Sequence, residues 1–494
     1  MKDLGVLTQI KNKYGNMTPA LKAGLWFTIC NFLQKGVSFV TIPIFTRIMT
    51  TDEYGAYSVY TSWYNLLTIF LTLNLSYYVF SKGMVKFEND KDVFVVSLQS
   101  LNTSITVVAI IAYSIFSSKI NSLLDLTTPL MVCMLLQILI EPSIAYWTAR
   151  KRFEYDYKSV IKITPGITIF NPILGIILIC CKIPSDAVLG RSISVTLVAL
   201  VVGVTLCVQA IKKARTGFST KYWKYALLFN IPLIPHFLSQ TILNQADRIM
   251  IKDMCGSTDA AIYSVAYSVG MAVTLFSQAI QQSFLPWLYK KIKASDFHSV
   301  SAISSVLLAS MAVINLLIIA FAPEIILIVG GSAYEGAIWV LPSICGSVFF
   351  IFLQNLFANI EYYFEKTKLI AAASVLVALL NVGLNYVFIK AYGYIAAGYT
   401  TLFCYVAYAV FHYIVMVCIC NKAKLNVRNF FNKKLVMALS VLFLCALFII
   451  SLLYSIAIAR YCFIALLIVL PMVFRRKLYN VFKEIKSDKG IDER

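Results

Sequence analysis

Lys35 sits in the middle of an apolar stretch, residues 22–46, twelve residues before Arg47. At 1.5 Å per helical residue, that places it about 18 Å deeper along a helix than the arginine. A shift of 201 residues carries Arg47 onto Arg248 and Lys35 onto His236. Each deep basic residue heads a polar stripe: Asn31, Lys35, Ser38 and Thr41 in one stretch, His236, Gln240, Asn244 and then Asp247 or Arg248 in the other. Steps of three and four put each set on one helix face. The chemistry such faces could do is anion binding. Lysine serves phosphate as a point charge, and arginine can hold it with two parallel hydrogen bonds. Other readings stay open: Lys35 bound to helix carbonyls or a carboxylate, His236 as a packing residue, and Arg47 and Arg248 as anchors paired with Asp52, Glu53 or Asp247.

Three carboxylates fall inside or at the ends of apolar stretches: Glu141 just before Pro142, Asp247 and Glu361. A buried carboxylate can carry a proton, and one with oxygen neighbours can hold sodium. These are the ion-coupling candidates, with the ion, H+ or Na+, left open and no other cofactor expected. The 12 cysteines lie almost entirely within apolar stretches, without a CxxC pair or a partner at metal spacing, so they read as small apolar residues and no metal site is expected. No GxxxxGK[ST] loop is present. No connecting segment is long enough to house a catalytic domain, so an enzyme is not expected.

Positioning such groups requires helices in a membrane. The 494 residues are 60% hydrophobic and 13% charged, with a mean hydropathy of +0.78; soluble chains carry about 25% charged residues. The apolar runs are each long enough for a bilayer core of about 30 Å and too continuous for barrel strands. About fourteen spans are expected, near 22–46, 56–81, 93–117, 122–148, 158–181, 187–211, 223–250, 259–289, 300–329, 337–362, 368–390, 394–420, 435–456 and 458–474. The 43 Lys and Arg residues concentrate in alternate connecting segments, such as Arg150–Arg152, Lys290–Lys293 and the segment after Arg475. The positive-inside rule then puts both termini in the cytoplasm. The net charge of +20 faces anionic lipid, and nucleic acid is not an expected partner.

The repeat extends beyond one pair of residues. TRIMTTDEYGAYSVY at Thr46–Tyr60 returns as DRIMIKDMCGSTDAAIYSV at Asp247–Val265, and Asn171 with Gly190 returns as Asn381 with Gly398. Spans one to six and seven to twelve therefore read as two copies of a six-helix unit. Six is even, so the copies run parallel, with a pseudo-two-fold along the membrane normal. The expected organisation is an N-lobe at 1–215, a C-lobe at 216–421, and two extra helices with a basic cytoplasmic tail at 422–494. Pro232 and Pro235 precede His236 directly, so the seventh span is expected to bend there. The last two spans either form a groove for a lipid tail or pack on a lobe.

NFLQKGVSFVTIPIFTRIMTTDEYGAYSVY, ILNQADRIMIKDMCGSTDAAIYSVAYSVG and LLNVGLNYVFIKAYGYIAAGYTT together resemble the polysaccharide-transporter flippases of the multidrug/oligosaccharidyl-lipid/polysaccharide exporter superfamily, over about residues 20–420. The resemblance implies a MATE-like fold. It implies movement of undecaprenyl-diphosphate-linked oligosaccharides, such as O-antigen, capsule or exopolysaccharide repeat units, from the cytoplasmic to the outer leaflet of a bacterial cytoplasmic membrane. The expected partners are this lipid-linked glycan and membrane lipids, with a polysaccharide polymerase and chain-length machinery alongside. The alternatives are a peptidoglycan lipid-precursor flippase and a multidrug exporter of the same fold. On this reading, Lys35, His236, Arg47, Arg248, Asn31, Ser38, Gln240 and Asn244 line a cavity for diphosphate and glycan.

Overall fold

The computed structural model describes residues 17–214, 218–423 and 430–473; the basic tail after Arg475 read from the sequence lies outside them. The described chain is helical throughout: α1 (Pro19–Ile48), α2 (Thr51–Thr72), α3 (Tyr78–Lys86), α4 (Lys91–Leu124), α5 (Thr128–Phe153), α6 (Tyr157–Cys180), α7 (Ala187–Ala214), α8 (Thr220–Asn230), α9 (Ile234–Cys255), α10 (Ser257–Ala272), α11 (Thr274–Lys293), α12 (Phe297–Ala320), α13 (Ala322–Val329), α14 (Ala337–Tyr363), α15 (Thr367–Tyr392), α16 (Tyr394–Lys422), α17 (Lys433–Leu452) and α18 (Ala457–Val473). Every expected span coincides with a helix or a broken helix. Among the described residues, eleven helical stretches are long and apolar enough to cross a membrane, so fourteen is an approximate count.

Several expected spans are broken. The second splits at Leu73 and Asn74, which both take positive φ, 52° and 50°. Left-handed backbone costs a side-chain-bearing residue roughly 1–2 kcal/mol, and the break strips helix partners from nearby carbonyls. Asn102 Nδ2 donates to Thr72 O at 2.8 Å, and Asn230 Nδ2 donates to Leu73 O. The seventh span is interrupted at Ile231–Leu233 by a short 3-10 turn holding Pro232, at the bend expected from the prolines.

The chain divides into two compact units. One holds residues up to Met49 together with Tyr60–Leu238; the other holds Thr50–Val59 together with Ser239 onward. The division falls inside α9 rather than at the 215/216 boundary read from the sequence. The cause is local: α8 buries Tyr222 and Ala226 in the first unit's core with Phe80, Phe94 and Tyr146. In that unit α5 and α6 pack on α7, and α1 packs on α6.

In the second unit α14 is the central helix, packed by α10, α12 and α16. Gly398 permits the close approach of α16, because any side-chain carbon there would run into Ser343 Oγ. Likewise, a side-chain carbon at Gly55 would strike the Ser257 carbonyl oxygen. The first copy of the repeated phrase thus packs against the middle of the second, at Ser257. The α17 and α18 helices pack on α12, where Arg460 pairs with Glu324 and Tyr454 donates to Ile319 O at 2.9 Å.

The repeat is visible in hydrogen bonds. Arg191 Nη1 donates to Asn171 Oδ1 across the α6–α7 hairpin, and Asn381 Nδ2 donates to Thr401 Oγ1 at 3.0 Å across α15–α16. Both pairs are twenty residues apart and are related by a shift of 210.

The turn between α5 and α6 is tied by Asp156, which caps α6. It accepts from Ser159 N at 3.2 Å, Ser159 Oγ at 2.7 Å and Lys151 Nζ at 2.7 Å. Asp296 repeats the design with Ser299 and Lys291. The Lys151 hydrogen bond, then that of Ser159, holds the Asp156 carboxyl down at about 2. A lowered folded value means this contribution is present above the unfolded value of about 3.9 and disappears as pH falls through about 2. Asp156→Ala should cost about 0.5–2 kcal/mol of stability near neutral pH, the usual loss for an N-cap. Thermal unfolding in detergent should show the gap from wild type closing as pH is taken from 4 towards 2.

Candidate functional site

The first unit carries the α1 stripe. Asn31, Lys35 and Ser38 are exposed, and Lys35 makes no ion pair among the described residues. Asn31 Oδ1 accepts from Arg152 Nη2 at 3.1 Å, and Ser38 donates to Gln34 O at 2.9 Å. Arg47 turns back on its own helix and donates to Pro43 O at 2.6 Å. Glu53 forms a capping box, accepting from Thr50 N at 2.8 Å while Thr50 Oγ1 accepts from Glu53 N at 3.2 Å. His236 belongs to the first unit; its buried Nδ1 has no hydrogen-bond partner among the described residues.

Glu141 lies on α5 between two cavities, of about 250 Å³ and about 190 Å³, and lines both. Its carboxylate accepts from Tyr64 Oη and from Gln137 Nε2, the latter at 3.3 Å. The larger cavity also exposes Asn65, Asn74 and Asn102 beside the broken span. The smaller takes Asn31 and Gln34 from α1, Arg152 from α5 and Asn171 from α6. Polar walls of this kind suit a hydroxyl-rich ligand, and they also knit helices together.

In the second unit Asp247 is 1% exposed. It accepts from Asn385 Nδ2 at 2.6 Å, Thr401 Oγ1 at 2.9 Å and Tyr263 Oη. Arg248 is held elsewhere, by Asn244 O at 3.2 Å, Gln245 Oε1 at 2.7 Å and the Tyr267 ring at 4.3 Å. Asp247 is therefore a carboxylate among neutral donors and oxygens. Gln240 donates to Ser374 at 3.2 Å, and Asn244 accepts from Tyr267 Oη at 2.9 Å. Glu361 is fully buried with His412, whose Nδ1 lies 2.7 Å from its carboxylate. Tyr64, Tyr263, Asn385, Thr401 and His412 are partners that reading the sequence missed. For Thr401 a signal existed, since it lies where the repeat carries Arg191.

A model of the family described as "Polysaccharide biosynthesis protein" matches residues 20–292, more than half of the chain. The chain belongs to this polysaccharide biosynthesis protein family. The chain is 24% identical over 383 residues to "Lsg locus putative protein 1" of Haemophilus influenzae, covering 73% of this chain and 89% of that protein. It is 22% identical over 400 residues to "Probable low-salt glycan biosynthesis flippase Agl15" of Haloferax volcanii, covering 78% and 80%. Among solved structures, it superposes on the lipid II flippase MurJ in an inward closed conformation with a TM-score of 0.68 at 14% identity, over 92% of this chain and all of that one. An inward-facing MATE-family multidrug transporter gives 0.55 at 12%, over 80% and 95%. At these identities the likeness establishes the fold: this polysaccharide biosynthesis protein has the MATE-like architecture that the resemblance implied.

Proposed function

We propose that the chain is a flippase, not an enzyme, that moves undecaprenyl-diphosphate-linked oligosaccharide repeat units of an O-antigen, capsule or exopolysaccharide from the cytoplasmic to the outer leaflet by alternating access. The observation that carries the proposal is Lys35: an exposed cation without an ion pair among the described residues, about 18 Å along α1 from Arg47 and within the span expected at 22–46. A charge so placed is costly and marks a polar pathway, and a diphosphate would repay the cost. Membership of a polysaccharide biosynthesis family and similarity to a protein named as a glycan biosynthesis flippase support the substrate class. His236, Arg47, Arg248, Asn31, Ser38, Gln240 and Asn244 are proposed to contact diphosphate and glycan. Asp247, Glu141 and Glu361 are proposed to bind the coupling ion, H+ or Na+. Among them Asp247 has the richest oxygen surroundings, with Asn381, Asn385 and Thr401. Location in a bacterial cytoplasmic membrane with both termini inside, and handover to a polymerase with chain-length machinery, complete the proposal.

The test is transport by the purified full chain in liposomes. A fluorescent undecaprenyl-diphosphate oligosaccharide should change leaflet at least tenfold faster than in empty liposomes, read by quenching of the outer label. Movement of lipid II alone would reassign the protein as a peptidoglycan-precursor flippase, and movement of cationic dyes alone as a drug exporter.

A further inference from the structure

The outer face of the α6–α7 pair carries a feature that the polar cavities do not explain. An apolar groove of about 840 Å³ runs between these helices in the first unit. Its walls include Phe170, Ile173, Ile177 and Val201, all exposed. It extends from Ile163 to Ile177, roughly 21 Å at 1.5 Å per residue. Gly166 lies in it, and a side chain built there would meet nothing within 4 Å. The groove therefore stays open for lack of a side chain.

Two observations point to its occupant. The groove adjoins the polar cavity of Asn31, Gln34, Glu141 and Arg152, since Ile167 and Val198 line both spaces. The helix ends next to it are also basic: Lys158 and Lys162 on α6 and Lys212 and Lys213 on α7 are exposed, Lys213 lying 3.8 Å from Asp92, and Arg152 lines the adjoining cavity. An apolar channel with basic helix ends and a polar chamber beside it matches an amphiphile with a long hydrocarbon tail and an anionic, hydroxylated head.

We propose that the α6–α7 groove seats the polyisoprenoid tail of the lipid-linked substrate, with its diphosphate at the basic helix ends. The groove then gives the substrate a lateral berth on the first unit before its head enters the polar cavity. The proposal rests on the flippase reading above, and its test reads binding separately from transport.

The full chain in liposomes is irradiated with a photoactivatable polyprenyl-diphosphate disaccharide or, in parallel, a photoactivatable phosphatidylglycerol. Adducts are mapped by mass spectrometry. Polyprenyl adducts should concentrate on 163–177 and 197–209, and excess unlabelled polyprenyl diphosphate should compete them away. Gly166→Phe, whose Cβ would meet no protein atom within 4 Å and whose ring would occupy the groove, should lower this labelling about tenfold, by excluding the apolar area the tail would bury. It should raise the half-saturating substrate concentration to match. Val201→Trp, on the groove wall, is the second variant should Gly166→Phe unfold. Gly383→Phe, at another open glycine, should change neither. Equal labelling by both lipids, or labelling indifferent to the groove variants, would assign the groove to ordinary bilayer lipid and overturn the proposal. Specific labelling without transport would leave the groove standing and overturn the flippase reading.

Discussion

Lys35→Ala should abolish flipping of a polyprenyl-diphosphate oligosaccharide while leaving the protein as stable as wild type. Lys35 is exposed, and no carboxylate pairs with it among the described residues. Its removal therefore breaks no ion pair, and surface substitutions of that kind usually fall within about 0.5 kcal/mol. Transport is different. Removing one partner of a desolvated, hydrogen-bonded charge pair costs about 2–5 kcal/mol, roughly thirtyfold to several thousandfold in rate. Lys35→Arg should keep most of the activity, because the guanidinium supplies the same charge with more donors. The measurement is leaflet exchange in liposomes at matched protein density, with thermal unfolding of each variant alongside. Full activity in the alanine variant would remove Lys35 from the mechanism.

The second large effect is expected at Asp247, with the opposite pattern. Its carboxylate is the shared acceptor for Tyr263, Asn385 and Thr401. Asp247→Ala leaves three buried donors facing a void, and a buried donor without an acceptor costs about 1–3 kcal/mol. Network members share some relaxation, so a loss of about 3–5 kcal/mol is expected, enough to lower expression and the melting temperature together. Asp247→Asn keeps the shape and one acceptor oxygen, so its cost should be nearer 1–2 kcal/mol. What the asparagine cannot keep is the negative charge. If Asp247 holds the coupling ion, flipping by the asparagine variant should lose its response to an imposed Na+ or H+ gradient while its basal rate persists. A wild-type gradient response in that variant would pass the coupling role to Glu141 or Glu361.

These two residues show where the sequence was legible. Lys35 stands out as a candidate because its signal is local: one charge in an apolar run is conspicuous whatever surrounds it. The same holds for the spans and the interruption at Pro232, each of which depends on neighbours along the chain. Asp247 was legible as a carboxylate near a span end, but its pairing with Arg248 was an equally good reading. The structure instead gives it partners 16, 138 and 154 residues away.

Other features were hidden for the same reason. The break in the second span has no proline to announce it; Leu73 and Asn74 turn left-handed, and Asn102 and Asn230 accompany them by bonding the exposed carbonyls. Reading the phrase twice established that the chain repeats. It did not indicate that Gly55 exists to let the first copy press on the backbone of the second.

Sequence alone thus determined the membrane class, the helical architecture and the internal duplication, because hydrophobic length, charge bias and repetition are properties of contiguous residues. The tertiary structure decided which carboxylate meets which donor, where a span breaks, and that the division between compact units runs through α9. Those depend on side chains brought together from distant parts of the chain, where each buried polar group must find a partner and spacing along the sequence does not name it.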